Sequence, residues 1–300
     1  MKNNSRICPS IYLTGSTGFI GTSVLEQLQF EEIFIHKKVE EITLHSEEIV
    51  IHLAGKAHDL KNTLSSKEYY AVNTELTKKV FNAFLASKAR VFITLSSVKA
   101  VADEVSEELT EDSIPEPITH YGKSKLLAEQ YILSKEIPEG KRVYILRPCM
   151  IHGPGNKGNL NLLYKLVSKG IPWPLGAFDN KRSFCSIDNL MFIFKELILR
   201  KDIPSGVYNV ADDIPLSTNE VISILAESQN RKPRILNISK GVIKLGAKFG
   251  NILKLPLNEE RLQKLTGSYV VSNKKLMNAI GKPLPVSSRE GLLKTFQSFQ

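Results

Sequence analysis

The apolar residues of this chain switch between two periods in a repeating order. "IYL" (Ile11–Leu13) is a short β-rich run, and in "FIGTSVLEQL" the residues Phe19, Ile20, Val24, Leu25 and Leu28 then recur at helical spacing. Further strands are expected at "EIFIH" (Glu32–His36), "IVIHLAG" (Ile49–Gly55), "RVFITLSS" (Arg90–Ser97) and "RVYILRP" (Arg142–Pro148). Between them, "EYYAVNTELTKKVFNAFLASK" (Glu68–Lys88) predicts one long amphipathic helix, and "YGKSKLLAEQYILSK" predicts another. Strands that alternate with helices imply crossover connections, and hence an α/β fold with a doubly wound parallel sheet covered on both faces.

After Pro148 the pattern changes. "GPGNKGN" and "GIPWPLG" are turn-rich, with a helix expected at "LNLLYKLVSK" between them. "LMFIFKELIL" (Leu190–Leu199) carries Lys195 and Glu196 and is too short to span a bilayer, so it reads as a buried helix. "GVYNVADDIPLSTNEV" predicts strand, loop and helix, with Ser217 or Thr218 as N-cap ahead of Glu220. The expected organisation is one lobe made mostly from the first half of the chain and a smaller one made mostly from the second. "GVIKLGAKFGNILKLPL" (Gly241–Leu257) is basic and apolar at near-helical spacing. It fits a helix packed on the smaller lobe or one lying on a membrane surface.

Composition narrows the function classes. A hydrophobic share of 42% with 24% charged residues is ordinary for a globular chain, and no apolar run reaches a membrane span. The start "MKNNSRICPSIYLTG" lacks a secretory apolar stretch, so a cytoplasmic protein without integral membrane contact is expected. Cys8, Cys149 and Cys185 form no CxxC, which fits reduced thiols, and no metal-ligand spacing joins the histidines. The net charge of +9 comes from 40 basic residues interleaved with 31 acids. Such interleaving argues for a general bias suited to an anionic substrate, and against a nucleic-acid surface.

Three glycines, Gly15, Gly18 and Gly21, sit between the first strand and the first helix. A helix N-terminus at the end of a parallel strand presents unpaired N–H groups and the positive end of a dipole, which suit a pyrophosphate. Gly15 permits the tight turn, Gly18 a close backbone approach and Gly21 the packing of helix on strand, though the spacing is GxxGxxG where GxGxxG is commoner. A dinucleotide site on a Rossmann-type sheet follows from this context.

Taken in order, "TGSTGFIG", "IVIHLAG", "TLSS" and "YGKSK" resemble an extended short-chain dehydrogenase/reductase of the NAD-dependent epimerase/dehydratase group, over most of the chain. The resemblance implies NAD or NADP as cofactor, a nucleotide-sugar substrate, and a homodimer formed through the helix bearing Tyr121. It implies cofactor contacts from Gly15, Thr17, Gly18, Phe19, Ile20, Gly21, Leu53, Ala54, Gly55, Asn73, Ser96, Tyr121, Lys125 and Pro148. Ser97, Tyr121 and Lys125 would be catalytic, with Ser96 as the alternative serine, and 183–212 would return to a nucleotide-binding lobe over 1–150, leaving 151–182 and 213–300 as a smaller C-terminal substrate-binding lobe. Ser97, Met150, Asn159 and Arg182 would meet the substrate, Arg182 by pairing its guanidinium fork with the diphosphate. The residue types suit the chemistry. A phenol is a poor base near neutrality unless a cation such as Lys125, one turn on, favours its phenolate.

The sequence departs from that family in three places. The 22–51 stretch is too short for two further strands with a full crossover, so an edge strand is expected to be lost or reduced. Where an acidic residue would hold the adenosine ribose, the chain reads Ile35, His36, Lys37, Lys38. Met150 replaces an asparagine common in the family. His52 reads as a core histidine, with His58 and His120 flanking the site. The leading expectation is a UDP-sugar 4-epimerase, with a 4-keto-sugar reductase as the alternative. A dehydratase is disfavoured because Val98 and Lys99 stand where its Asp-Glu pair would be. A non-catalytic dinucleotide-binding protein is disfavoured because Tyr121 and Lys125 are both present.

Overall fold

A computed structural model describes residues 10–35, 42, 44, 48–56, 65–156, 158–253 and 258–299, except for the side chains of Asn159 and 249–253. In chain order the elements are β1 (Ile11–Thr14), α1 (Phe19–Gln27), β2 (Ile33–Ile35), β3 (Ile49–His52), α2 (Ser66–Tyr69), a π-turn (Tyr70–Glu75) and α3 (Leu76–Ala86). They continue with β4 (Val91–Leu95), a 3-10 turn (Val98–Ala100), α4 (His120–Leu133), β5 (Arg142–Pro148), β6 (Met150–His152) and α5 (Asn159–Ser168). Then come β7 (Phe184–Ser186), α6 (Ile187–Leu199), β8 (Gly206–Val210), α7 (Thr218–Ser228), α8 (Lys240–Leu253), α9 (Glu259–Thr266), α10 (Lys274–Ile280) and α11 (Ser288–Gln297).

Six strands form a parallel sheet in the order β2-β1-β3-β4-β5-β8. The expected α/β, Rossmann-type fold is therefore present. Continuous burial of β1, β3 and β4 reflects helices on both faces, which is why these strands read as unbroken apolar runs. On one face Val24, Leu190, Ile193, Phe194 and Leu197 pack against the sheet. On the other, the rings of Phe81 and Phe84 lie 5.0 and 5.3 Å from that of Phe92. Each such pair adds about 1 kcal/mol beyond its area burial. The three-residue β2 ends the sheet beside β1 in the short segment where the sequence expects a reduced edge.

The order reverses at β1, which leaves a crevice beyond the carboxyl ends of β1 and β3. A second apolar cluster joins Leu160, Trp173, Phe184, Leu225, Leu262 and Phe296, beside the small β6–β7 sheet. Val271, Leu276 and Ile280, by contrast, pack into the cluster of the main sheet. The helix predicted over Glu68–Lys88 runs as α2, π-turn and α3, a local change of winding that apolar spacing cannot report. Ser217 caps α7 reciprocally with Glu220.

Candidate active site

The glycine turn is packed more tightly than any side chain would allow. Gly15 has φ +74°, and a Cβ there would lie 2.6 Å from Ala54 N and Leu53 C. A Cβ on Gly21 would lie 2.2 Å from Gly15 O. Gly18 caps α1 without a side-chain hydrogen bond, and the first turn of α1 carries no acid. The helix therefore offers its first N–H groups and positive dipole end to an anion at the β1/β3 crevice. Phe19 and Ile20 turn back onto the sheet's core, Thr17 is exposed, and Leu53, Ala54 and Gly55 close the β3 side.

Asn73 explains the π-turn. Fully buried, it accepts from Lys56 N (2.8 Å) and donates to Lys56 O (3.1 Å) and Ser124 Oγ (3.0 Å). Ser124 Oγ donates to Tyr121 O (2.7 Å), and Thr74 Oγ1 donates to Ser124 O (2.8 Å). The extra residue of a π-turn lets Asn73 and Thr74, successive in sequence, both reach α4. The loop after β3 and the helix carrying Tyr121 are thereby tied together.

Asp103 fixes the start of α4. Its carboxylate accepts from Ile118 N (2.8 Å), Thr119 N (3.0 Å) and Thr119 Oγ1 (3.2 Å), and Thr119 in turn caps the helix by accepting from Gly122 N. A Cβ on Gly122 would sit 2.3 Å from Lys99 O, so the helix docks directly on the 3-10 turn after Ser97. The result brings Ser97 and Tyr121 side by side on the wall of one cleft. Burial holds the Tyr121 phenol above its usual value, the neighbouring Ser97 hydroxyl pulls it back, and Tyr69, edge-on at 6.1 Å, adds to the rise.

Lys125 points behind this pair. Its Nζ donates to Leu95 O (2.8 Å), and burial draws its pKa down to about 8, opposed by Glu129. Glu129 is itself locked to Arg147 by contacts of 3.0 and 3.1 Å from Nε and 2.5 Å from Nη2, with both residues buried. A cavity of about 10 Å³ lies among Asn73, Ser96, Lys125 and Glu129. Ser96 Oγ and Arg147 Nη1 are buried without a hydrogen-bond partner among the described residues.

In front of the pair, a cleft of about 540 Å³ is lined by Ser97, Tyr121, Pro148, Met150 and Arg182, the expected site residues on that side. Lys99, Lys264 and Tyr269 also line it; the sequence marks Lys99 only as a departure from the dehydratase pair and does not single out the other two. Lys99 lies two residues beyond Ser97, so its position in the motif could have found it. Nothing local marks Lys264 or Tyr269. Lys99 Nζ sits 4.6 Å above the Tyr269 ring, while Tyr269 Oη donates to Ala102 O (2.7 Å). Burial pushes the Tyr269 phenol well up and the Lys99 ammonium down. Arg182, expected to meet a diphosphate, gives Nε to Gly267 O (2.8 Å) and Nη2 to Lys264 O (2.5 Å), so part of its fork is held by the end of α9. The side chain of Asn159 lies outside the described residues, as do His36, Lys37, Lys38 and His58. His52 is a satisfied core residue, bonded to Thr14 (2.7 Å) and Thr77 (2.9 Å). No metal-holding cluster of His, Cys, Asp or Glu occurs among the described residues.

These features can be set beside known proteins. The family model described as NAD dependent epimerase/dehydratase family matches residues 35–211. The chain is 31% identical to a UDP-glucose 4-epimerase from Vibrio cholerae, over 97% of this chain and 95% of that protein. It is 26% identical to the N-acetyl-alpha-D-glucosaminyl-diphospho-ditrans,octacis-undecaprenol 4-epimerase of Escherichia coli O157:H7, over 96% and 94% respectively. Its fold matches a crystal structure of UDP-glucuronic acid 4-epimerase from Bacillus cereus in complex with NAD, with a TM-score of 0.72 and 19% identity over 96% of this chain and 98% of that one. The chain belongs to the NAD-dependent epimerase/dehydratase family, as the ordered motifs implied.

Proposed function

We propose, from that membership, that the chain is an NAD(P)-dependent nucleotide-sugar 4-epimerase, with Ser97, Tyr121 and Lys125 as its catalytic residues. The observation that carries this reading is the placing of Ser97 and Tyr121 together at the wall of a cleft large enough for a sugar and edged by Lys99, Arg182 and Lys264. The glycine turn, whose contacts leave no room for side chains, fits a dinucleotide pyrophosphate. Gly15, Thr17, Gly18, Phe19, Ile20, Gly21 and the 53–55 segment would hold that cofactor, with Asn73, Ser96, Lys125 and Pro148 on its nicotinamide side. When bound, the cofactor supplies a reversible acceptor and donor of hydride.

The remaining chemistry belongs to side chains. Ser97 Oγ orients the oxygen on C4 of the sugar. Tyr121 Oη takes the hydroxyl proton as C4 is oxidised and returns it when C4 is reduced from the opposite face. Cations along the cleft neutralise the diphosphate, and Arg182 contributes the donors that α9 leaves unused.

The direct test supplies UDP-glucose and NAD and follows UDP-galactose. Tyr121→Phe should lower kcat by about 10²–10⁴-fold, the usual worth of a positioned acid/base group. Undiminished turnover would remove Tyr121 from the mechanism. A second reading, one-way reduction of a 4-keto-sugar nucleotide, is favoured by the raised Tyr121 value, because a phenol kept protonated is set up to donate. Cofactor analysis separates the two. An epimerase should purify with NAD held through many turnovers, whereas a reductase should consume NADPH stoichiometrically.

A further inference from the structure

From Gln229 to Asn258 the sequence holds no aspartate or glutamate, yet Arg231, Lys232, Arg234, Lys240, Lys244 and Lys248 all fall within it. All six are exposed, and among the described residues none has an ion-pair partner. Elsewhere the charges of this chain are interleaved, so this stretch carries a disproportionate share of the net +9.

Apolar side chains accompany these cations. On α8 the buried residues Ile243 and Ala247, one turn apart, fasten the helix to the second core. Val242 and Leu245, one turn apart on another side, are 62% and 57% exposed, and Leu236 just before the helix is 46% exposed. The helix is thus amphipathic twice over: its inner stripe is covered by this chain, and its outer apolar residues stand among Lys240, Lys244 and Lys248. The two readings of this segment left open by the sequence are compatible, because each uses a different face.

We propose that this outer face of α8, with the 231–236 segment before it, is a docking surface for an anionic lipid bilayer. Lysine with exposed leucine and valine on a helix lying flat is the chemistry of an interfacial helix, in which apolar tips enter the headgroup boundary and cations meet lipid phosphate. A second copy of this chain is a poor occupant. A two-fold interface sets a patch against itself, here six cations against six, with Glu259 at the edge of the groove too few to balance them. Nucleic acid gives no reason for Val242 and Leu245 to be exposed, since bases stack on aromatic rings and these side chains are aliphatic, while the nearby Phe178 ring already lies under Lys240.

The surface adjoins the cleft. A groove of about 580 Å³ between α8 and α9 is lined by Lys244, Leu245, Lys248 and Gln263. Gln263 also lines the sugar-sized cleft, together with Glu260 and Lys264 of the same helix. Helix α9 is a wall common to both, so docking would hold the cleft beside the bilayer.

Vesicle co-sedimentation of the full chain tests this. The protein should sediment with vesicles of phosphatidylcholine containing phosphatidylglycerol and stay in solution with phosphatidylcholine alone, and added salt should release it. Lys244→Gln with Lys248→Gln should weaken partitioning on the order of twentyfold, from about fivefold per cation at an anionic surface. Val242→Ser with Leu245→Ser should weaken it while leaving its salt response. Both pairs should keep wild-type turnover of a soluble sugar nucleotide, which keeps this test separate from that of the catalytic reading. The proposal is overturned if the wild type ignores phosphatidylglycerol, if the lysine variant binds as well as the wild type, or if duplex DNA is bound as tightly with the same dependence on Lys244 and Lys248.

Discussion

At the scale of single residues, the pair four apart on α4 does not act as its spacing alone suggests. The ammonium of Lys125 is bonded to Leu95 O, and the group that lowers Tyr121 directly is Ser97. Lys125 is instead poised: burial has brought it to about 8, and Glu129 is what keeps it from falling further. Where turnover needs the charged lysine, kcat/KM should decline as pH rises through about 8. Glu129→Gln removes the opposing charge, so the decline should move to lower pH. That substitution also leaves Arg147 buried without its partner, at a cost of about 3–5 kcal/mol. Glu129→Gln combined with Arg147→Met should recover stability and keep the displaced pH profile. A profile unchanged in both variants would make Glu129 a purely structural residue. The shift has a consequence for stability too. Between about 8 and the ordinary lysine value the unfolded chain holds a proton that the folded one has released, so the contribution of Lys125 to stability rises with pH there.

At the scale of elements, α4 is placed by its ends more than by its apolar content. Asp103 holds Ile118, Thr119 and, through the Thr119 cap, the first turn on which Tyr121 stands. Asp103→Ala should cost about 2 kcal/mol and lower kcat, because the helix start moves, and it should also raise KM, because Asp103 lines the cleft beside Lys99. Asp103→Asn keeps an accepting oxygen and should recover part of both, as read by thermal unfolding and steady-state kinetics. Equal loss in the two variants would assign the effect to charge. The sequence made α4 visible through "YGKSK", and the order of strands through their apolar runs, because buried parallel strands must be apolar along their whole length. Gly15 and Gly21 were legible for the same kind of reason, since only glycine tolerates those backbone contacts, whereas a Cβ on Gly18 would meet its nearest neighbour at an ordinary 3.4 Å. The π-turn was not legible, because its cause is Asn73 reaching Ser124, a contact between residues 51 positions apart. The Asp103 tie to Thr119 and the arrival of Lys264 and Tyr269 at the cleft are likewise products of packing that no local period encodes.

At the scale of the whole molecule, surface charge and exposed apolar residues divide the chain into faces that suit different neighbours. The basic stretch before and along α8 repels a copy of itself, whereas α4 exposes Leu127 (44%) and Leu133 (58%) on the side of the sheet shared with α3. A two-fold axis there would bury leucine against leucine. The expected solution state is therefore a dimer through α3 and α4, with twice the 33.6 kDa mass of one chain in light scattering. Leu127→Glu would bring two carboxylates together near the axis and should return the monomer mass. Tyr121 stands on the same helix, so turnover should fall with dissociation, and high protein concentration should restore it in the variant. A wild-type chain that is monomeric at all concentrations, or a Leu127→Glu chain that stays dimeric, would move the interface away from α4 and leave the exposure of its leucines without this explanation.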